Sequence, residues 1–213
     1  MISLLHPTIR PHAWEDAAQA WYARCDNPDG VEYVLVPEDS RFIESLYGLK
    51  MKVPFGHSVV EWNTHAANEG GCFNCAAELS TGDVLVTMAD DLTPPEHWDT
   101  TLLRVLGDKI DGEAAVWAAS GDASLDSWTI VHPILTRAYY EKLGYIFWHE
   151  YNAHYLDVEF HEVAARNGVI IDAREALKFV HKNFDNDEFH KQHHDHHEED
   201  RIVFERRKAG GFQ

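Results

Sequence analysis

Cations are scarce in this chain: 18 Lys and Arg stand against 36 Asp and Glu, a formal net charge of -18. Such a surface repels nucleic acids and anionic membranes at long range. It repels a nucleotide diphosphate as well, so a ligand of that kind requires a metal ion, arginines or helix N-termini. Cysteine is also rare, at three residues, and MISLLHPTIRP at the start lacks the basic and apolar regions of a secretory leader. A disulfide framework is therefore excluded and a reducing, cytoplasmic setting is expected. No apolar run approaches the ~20 residues that cross a bilayer, so stable membrane insertion is not expected. The motifs G-x-x-x-x-G-K-[ST], G-x-G-x-x-G and G-x-S-x-G are missing, which disfavours P-loop, dinucleotide-binding and α/β-hydrolase readings. Neither repeats nor an interdomain linker interrupt the chain.

Hydrophobic residues make up 45% of the 213 positions and seven are tryptophan, enough for one domain with a full core. The stretch 79–98, LSTGDVLVTMADDLTPPEHW, organises the rest. Residues 84–88 are apolar but for Thr87, as in a strand buried on both faces, and they run into Ala89-Asp90-Asp91. Pro94-Pro95 then breaks the backbone before a helix expected to open at 96–99 with Thr93 as its cap. Two carboxylates at the carboxyl edge of a sheet point to a divalent cation serving a phosphorylated ligand.

Upstream, 2–5 reads as a strand followed by a proline-rich loop, 13–25 as an amphipathic helix and 33–36 as a second strand. That order predicts a right-handed βαβ unit and a parallel sheet, an α/β fold class. Helices are expected at 72–79, 98–106, 137–143 and 156–167, the last closed by Gly168, with strands at 57–62, 114–119, 129–135 and 169–171. The segment 41–53 reads as helix followed by irregular chain. The chain divides into a domain at 1–182 and a charged, helical extension at 183–213 packed on or beside it.

Cys72-x-x-Cys75 lacks a second pair for zinc and reads as two small core residues. His149-Glu150 and His154 miss the zinc-protease spacing by one position. The histidines at 190, 193, 194, 196 and 197 lie among acids and read as a solvated helix face. Asp157 and Glu159 open a helix, where acids offset the dipole and where one of them could serve as a general base. His181 follows an apolar run and would complete, with Asp90 and Asp91, a mixed oxygen and nitrogen site for Mn²⁺ or Mg²⁺.

Four blocks of the chain resemble the GT-A nucleotide-sugar glycosyltransferases, and in particular their large inverting family. Ser3-Leu4-Leu5-His6-Pro7-Thr8-Ile9-Arg10 is similar to the family's first strand and nucleotide loop, and VLVPEDS at 34–40 to its second strand with a base-contacting acid. NCAAELSTGD at 74–83 is similar to its Asn-led helix, with Ala76 and Ser80 as departures, and Ala89-Asp90-Asp91 before Pro-Pro and Trp98 to its D-x-D motif. The resemblance implies a Rossmann-like, mostly parallel sheet flanked by helices. It implies a nucleotide contact at Pro7, Thr8, Arg10, Asn74, Asp90 and either Glu38 or Asp39, and a metal on Asp91, Asp90 and His181. Asp157 falls on the catalytic base, with Leu156 in place of the family's preceding acid and Ala89 in place of the first acid of D-x-D. The implied activity is metal-dependent, inverting transfer of a sugar from a nucleotide-diphosphate donor to an acceptor hydroxyl. The acceptor stays open among a saccharide, a small molecule and a modified DNA base. Two alternatives are a nucleotidyltransferase acting on a sugar phosphate and a non-catalytic nucleotide-sugar-binding module.

Overall fold

The computed structural model describes residues 1–37, 42, 45–181 and 196–212; Glu38 and Asp39, like the histidines at 190, 193 and 194, lie outside them. The first strand, β1 (Ile2–Thr8), pairs in parallel with β2 (Val31–Pro37) along its whole length, from Ile2 opposite Val31 to Thr8 opposite Pro37. It therefore runs three residues beyond the expected 2–5. Pro7 is tolerated because β4 (Val84–Thr87), on the other side, pairs only with Ile2 to Leu5 and asks no N–H of it. The extra residues carry His6 and Thr8 to the carboxyl edge of the sheet.

The seven-stranded sheet has the order β3-β2-β1-β4-β7-β6-β8, with β3 at His57–Val60, β6 at Ala115–Trp117, β7 at Ile134–Thr136 and β8 at Ile170–Asp172. Only β7 runs against the rest. A separate two-stranded ribbon joins β5 (Leu92–Thr93) to β9 (Val180–His181), antiparallel. Thr93 lies in this ribbon instead of capping a helix, and the helix expected at 96–99 begins later, at Trp98, with His97 at φ 59 before it. Of the strand expected at 129–135 only the end pairs, because Pro133 cannot donate to a ladder.

Alternating side chains send the sheet's two faces into two cores. On one face Leu4, Tyr33 and Val86 meet Trp14 and Trp21 of α1 (Trp14–Ala23) and Trp98 and Leu102 of a helix at Trp98–Leu106. On the other, Leu5, Val34 and Leu85 meet Phe73 and Ala76 of the helix at Glu69–Leu79, and Phe160 of the one at Leu156–Asn167. With a short helix at Leu46–Lys50 as α2, these are α3 (Glu69–Leu79), α4 (Trp98–Leu106), α5 (Arg137–Leu143), α6 (Leu156–Asn167) and α7 (His197–Ala209). Cys72 and Cys75 are free thiols buried in α3, as expected of core residues. No helix among the described residues is long and apolar enough to cross a membrane.

The described part of the charged extension is bound into the domain by buried polar contacts. Arg207 of α7 holds Glu159 of α6 through Nε at 2.9 Å and Nη2 at 2.8 Å, with both side chains 4% exposed. The Tyr151 hydroxyl donates to the same carboxylate at 2.7 Å, and the guanidinium lies 3.6 Å from the centre of the Trp148 ring. A buried ion pair adds little over an apolar pair, but breaking it strands a charge. Arg207→Ala should lower the unfolding free energy in urea by about 3–5 kcal/mol. Removing the exposed Lys208–Glu162 pair by Lys208→Ala should cost less than about 1 kcal/mol in the same titration.

Candidate active site

At the carboxyl ends of β1 and β4 the structure opens a cleft of about 800 Å³, and Thr8, Arg10, Glu69, Asp90, Asp91, Asp157 and His181 all face it. Parallel strands end together there, and the loops that leave them meet at one edge.

Asp90 is the best-partnered acid of the group. Thr8 donates from Oγ1 to both its oxygens at 2.9 Å, His6 Nε2 lies 3.0 Å from Oδ1, and Arg10 Nη1 lies 3.6 Å from Oδ2. The buried Tyr33 hydroxyl meets the other nitrogen of His6. Burial and the Asp90 charge push the Tyr33 phenol well above its ordinary value. It therefore keeps its proton, and the His6 ring bridges this phenol to Asp90. Asp90 thus orders the 7–10 loop. Its oxygens accept from Thr8 and His6 and face Arg10.

Asp91 turns the other way. Its Oδ1 lies 3.1 Å from His181 Nε2, a contact set by the ribbon register that pairs Leu92 with His181. Burial raises the Asp91 carboxyl, but the His181 hydrogen bond and the charges of His181 and Arg10 outweigh it and hold the group below its ordinary value. Beside this pair stands His132, its ring edge-on to His181 at 5.4 Å. Its Nε2 is buried without a hydrogen-bond partner, and burial together with His181 pushes the imidazole down to about 4. His132 is therefore neutral at pH 7.

Asp157 enters the cleft from the first turn of α6. Tyr155, at φ 67, turns the chain into the helix, and Asp157 Oδ1 accepts the Val158 N–H at 2.9 Å. Burial pushes its carboxyl up to about 6 despite that bond. Glu69, in the first turn of α3, is open to water within the cleft but walled in by protein. That enclosure, with the charges of Asp157 and Asp91, pushes it up to about 7. Acids in the first turn of a helix read from sequence as dipole partners, and Glu69 gives no other sign. His132 likewise belongs to no recognisable pattern.

Asn74 does not reach the cleft. Its Oδ1 accepts the Ile146 and Phe147 N–H groups at 2.8 and 3.2 Å, and its Nδ2 donates to the Phe147 carbonyl at 2.7 Å. Its amide is spent on holding Phe147, which lines the cleft, so the expected nucleotide contact is replaced by a structural one. Pro7, Thr8 and Arg10 do face the cleft.

Among the described residues no three His, Cys, Asp or Glu side chains converge as a metal cage. Asp91 and His181 offer one carboxylate oxygen and one imidazole nitrogen. That donor set fits Mn²⁺ or Mg²⁺ when ligand phosphates complete the sphere. The wall that carries Asp157 is braced from behind. Asp200 of α7, fully buried, accepts the N–H groups of Asn152, Ala153 and His154 at 2.8–2.9 Å.

No protein-family model and no curated protein sequence matches the chain. Solved structures do. S. aureus TarS superposes with a TM-score of 0.65 at 14% identity, over 85% of this chain and 36% of TarS. The mannosyltransferase PcManGT from Pyrobaculum calidifontis, in complex with GDP-Man and Mn²⁺, gives 0.63 at 17% identity, over 82% of this chain and 55% of its own. Glucosyl-3-phosphoglycerate synthase from Mycobacterium tuberculosis, in complex with Mn²⁺, UDP and phosphoglyceric acid, gives 0.53 at 13%, over 86% and 71%. This chain spans about a third to just over half of the first two neighbours. At these identities the likeness establishes architecture: the chain has the GT-A fold of the nucleotide-sugar glycosyltransferases.

Proposed function

We propose that this protein is a metal-dependent, inverting glycosyltransferase that moves a sugar from a nucleotide-diphosphate donor to an acceptor hydroxyl. The observation that carries the reading is the sharing of one cleft by the Asp91–His181 pair and by Asp157, a carboxylate raised to about 6. The first suits a diphosphate held through a cation, and the second suits proton removal near neutral pH. PcManGT, a neighbour of this fold, is in complex with GDP-Man and Mn²⁺, which supports a metal-dependent donor site.

In this reading Thr8 and Arg10 hold the donor's nucleotide end, with Asp90 fixing the arginine's direction. Asp91 and His181 would hold Mn²⁺ or Mg²⁺, whose charge offsets the negative charge that builds on the departing diphosphate. Asp157 takes the proton of the acceptor hydroxyl as its oxygen bonds to the anomeric carbon. The bond from that carbon to the diphosphate oxygen breaks on the opposite face, so configuration inverts and a nucleoside diphosphate leaves. HPTIRP at the carboxyl end of β1 replaces the Gly-rich loop that a nucleotidyltransferase places there, and release of a nucleoside diphosphate in place of pyrophosphate separates the two products.

A screen of nucleotide sugars for Mn²⁺-dependent hydrolysis tests the donor half without knowledge of the acceptor; no turnover of any donor overturns the reading. Asp157→Asn should slow transfer ~10²–10⁴-fold while calorimetry shows donor binding retained. The wild-type rate should rise with pH through about 6, as Asp157 loses its proton, and this limb should vanish in the Asn variant. His181→Ala should raise the Mn²⁺ concentration for half-maximal hydrolysis ~10-fold or more.

A further inference from the structure

Of the seven tryptophans, all within the described residues, six are buried or half-buried and Trp128 alone is exposed, at 50%. It faces the cleft. Its backbone is anchored: the Trp128 main-chain N–H donates to the Leu125 carbonyl at 3.0 Å, and the next residue, fully buried Thr129, donates through Oγ1 to the main-chain carbonyl of Asp157 at 3.4 Å. Among the described residues no other ring and no cation packs on the indole, so an open aromatic face lines the cleft that also holds Asp157.

The rest of that wall is aromatic and polar. Tyr155 stacks on Phe204 at 5.1 Å, and its hydroxyl lies 3.3 Å from His197 Nε2. Charge in the cleft is of one sign. Glu69, Asp90, Asp91 and Asp157 line it, and among the described residues Arg10 is its one Arg or Lys, already beside Asp90. With Arg10 beside Asp90 and engaged by the donor, a second anion would meet four carboxylates and no further Arg or Lys among the described residues, only imidazoles.

We propose that the acceptor is an uncharged saccharide whose ring face stacks on Trp128, with its reacting hydroxyl at Asp157; this rests on the glycosyltransferase reading above. The C–H groups of a sugar face carry partial positive charge and meet the negative face of the indole. Hydroxyls at the sugar's rim find the phenol of Tyr155 and the imidazole of His197.

Binding is read apart from turnover, by saturation-transfer NMR with methyl glucoside, methyl galactoside and chitotriose. Methyl glucuronide, glucose 6-phosphate and a hydroxymethylated oligodeoxynucleotide serve as the anionic panel. The neutral saccharides should bind and the anions should not, and Trp128→Ala should weaken saccharide binding at least tenfold, with Trp128→Phe restoring most of it. In transfer assays with the donor chosen by the hydrolysis screen, Trp128→Ala should raise the acceptor KM more than it lowers kcat. Anions that bind as well as neutral sugars, or a Trp128→Ala variant that binds saccharide like the wild type, would overturn the proposal. If donor hydrolysis is absent while saccharide binding depends on Trp128, the transferase reading fails and the saccharide site stands.

Discussion

Four carboxylates gathered around one cleft repel one another, and the geometry of the site follows from how each is accommodated. Asp90 is held by hydrogen bonds from Thr8 and His6 and lies beside the Arg10 guanidinium. Asp91 is given a histidine. Among the described residues no Lys or Arg forms an ion pair with Asp157 or Glu69, and both hold their protons more tightly than an ordinary acid would. The cleft is thus divided into a side poised to take up positive charge and a side poised to take up a proton. The division arises from which strand or helix end each acid occupies.

Much of this was legible in the chain. The apolar run before Asp90 and Asp91 could only be a buried strand, and a strand that stops at paired acids puts them at a sheet edge. Asp157 could be placed at a helix start because Gly168 marks that helix's end. What sequence could not supply were contacts made across long separations. His6 and Asp90 are 84 positions apart, and Pro7 had suggested that the strand stopped short of both His6 and Thr8. His181 reaches Asp91 through a ribbon of two residues per strand, too short for any propensity to register. Asn74 misled because a helix can use its amide to hold a neighbouring loop as readily as a ligand, and the residue type is the same for both tasks.

His132 illustrates the limit from the other direction. Its ring is pressed against His181 and its Nε2 has no hydrogen-bond partner, so the pair cannot both carry charge at little cost. His132 yields, remaining neutral, and Asp91 is held in its ionised form. Neutral imidazole and ionised carboxylate are the forms in which such side chains bind cations, and this packing keeps competition for protons low at His132 while Asp91 stays ionised.

The grip of α7 on the segment before Asp157 also sets an order of events during synthesis. Asp200 and Arg207 follow their partners at 152–154 and 159 by 46 to 48 positions. As the ribosome releases the chain, the sheet and the Asp91 side of the cleft have all their residues well before the opposite wall has its brace. Until that last helix docks, the backbone N–H groups at 152–154 lack their acceptor, and the nascent protein has half of a cleft.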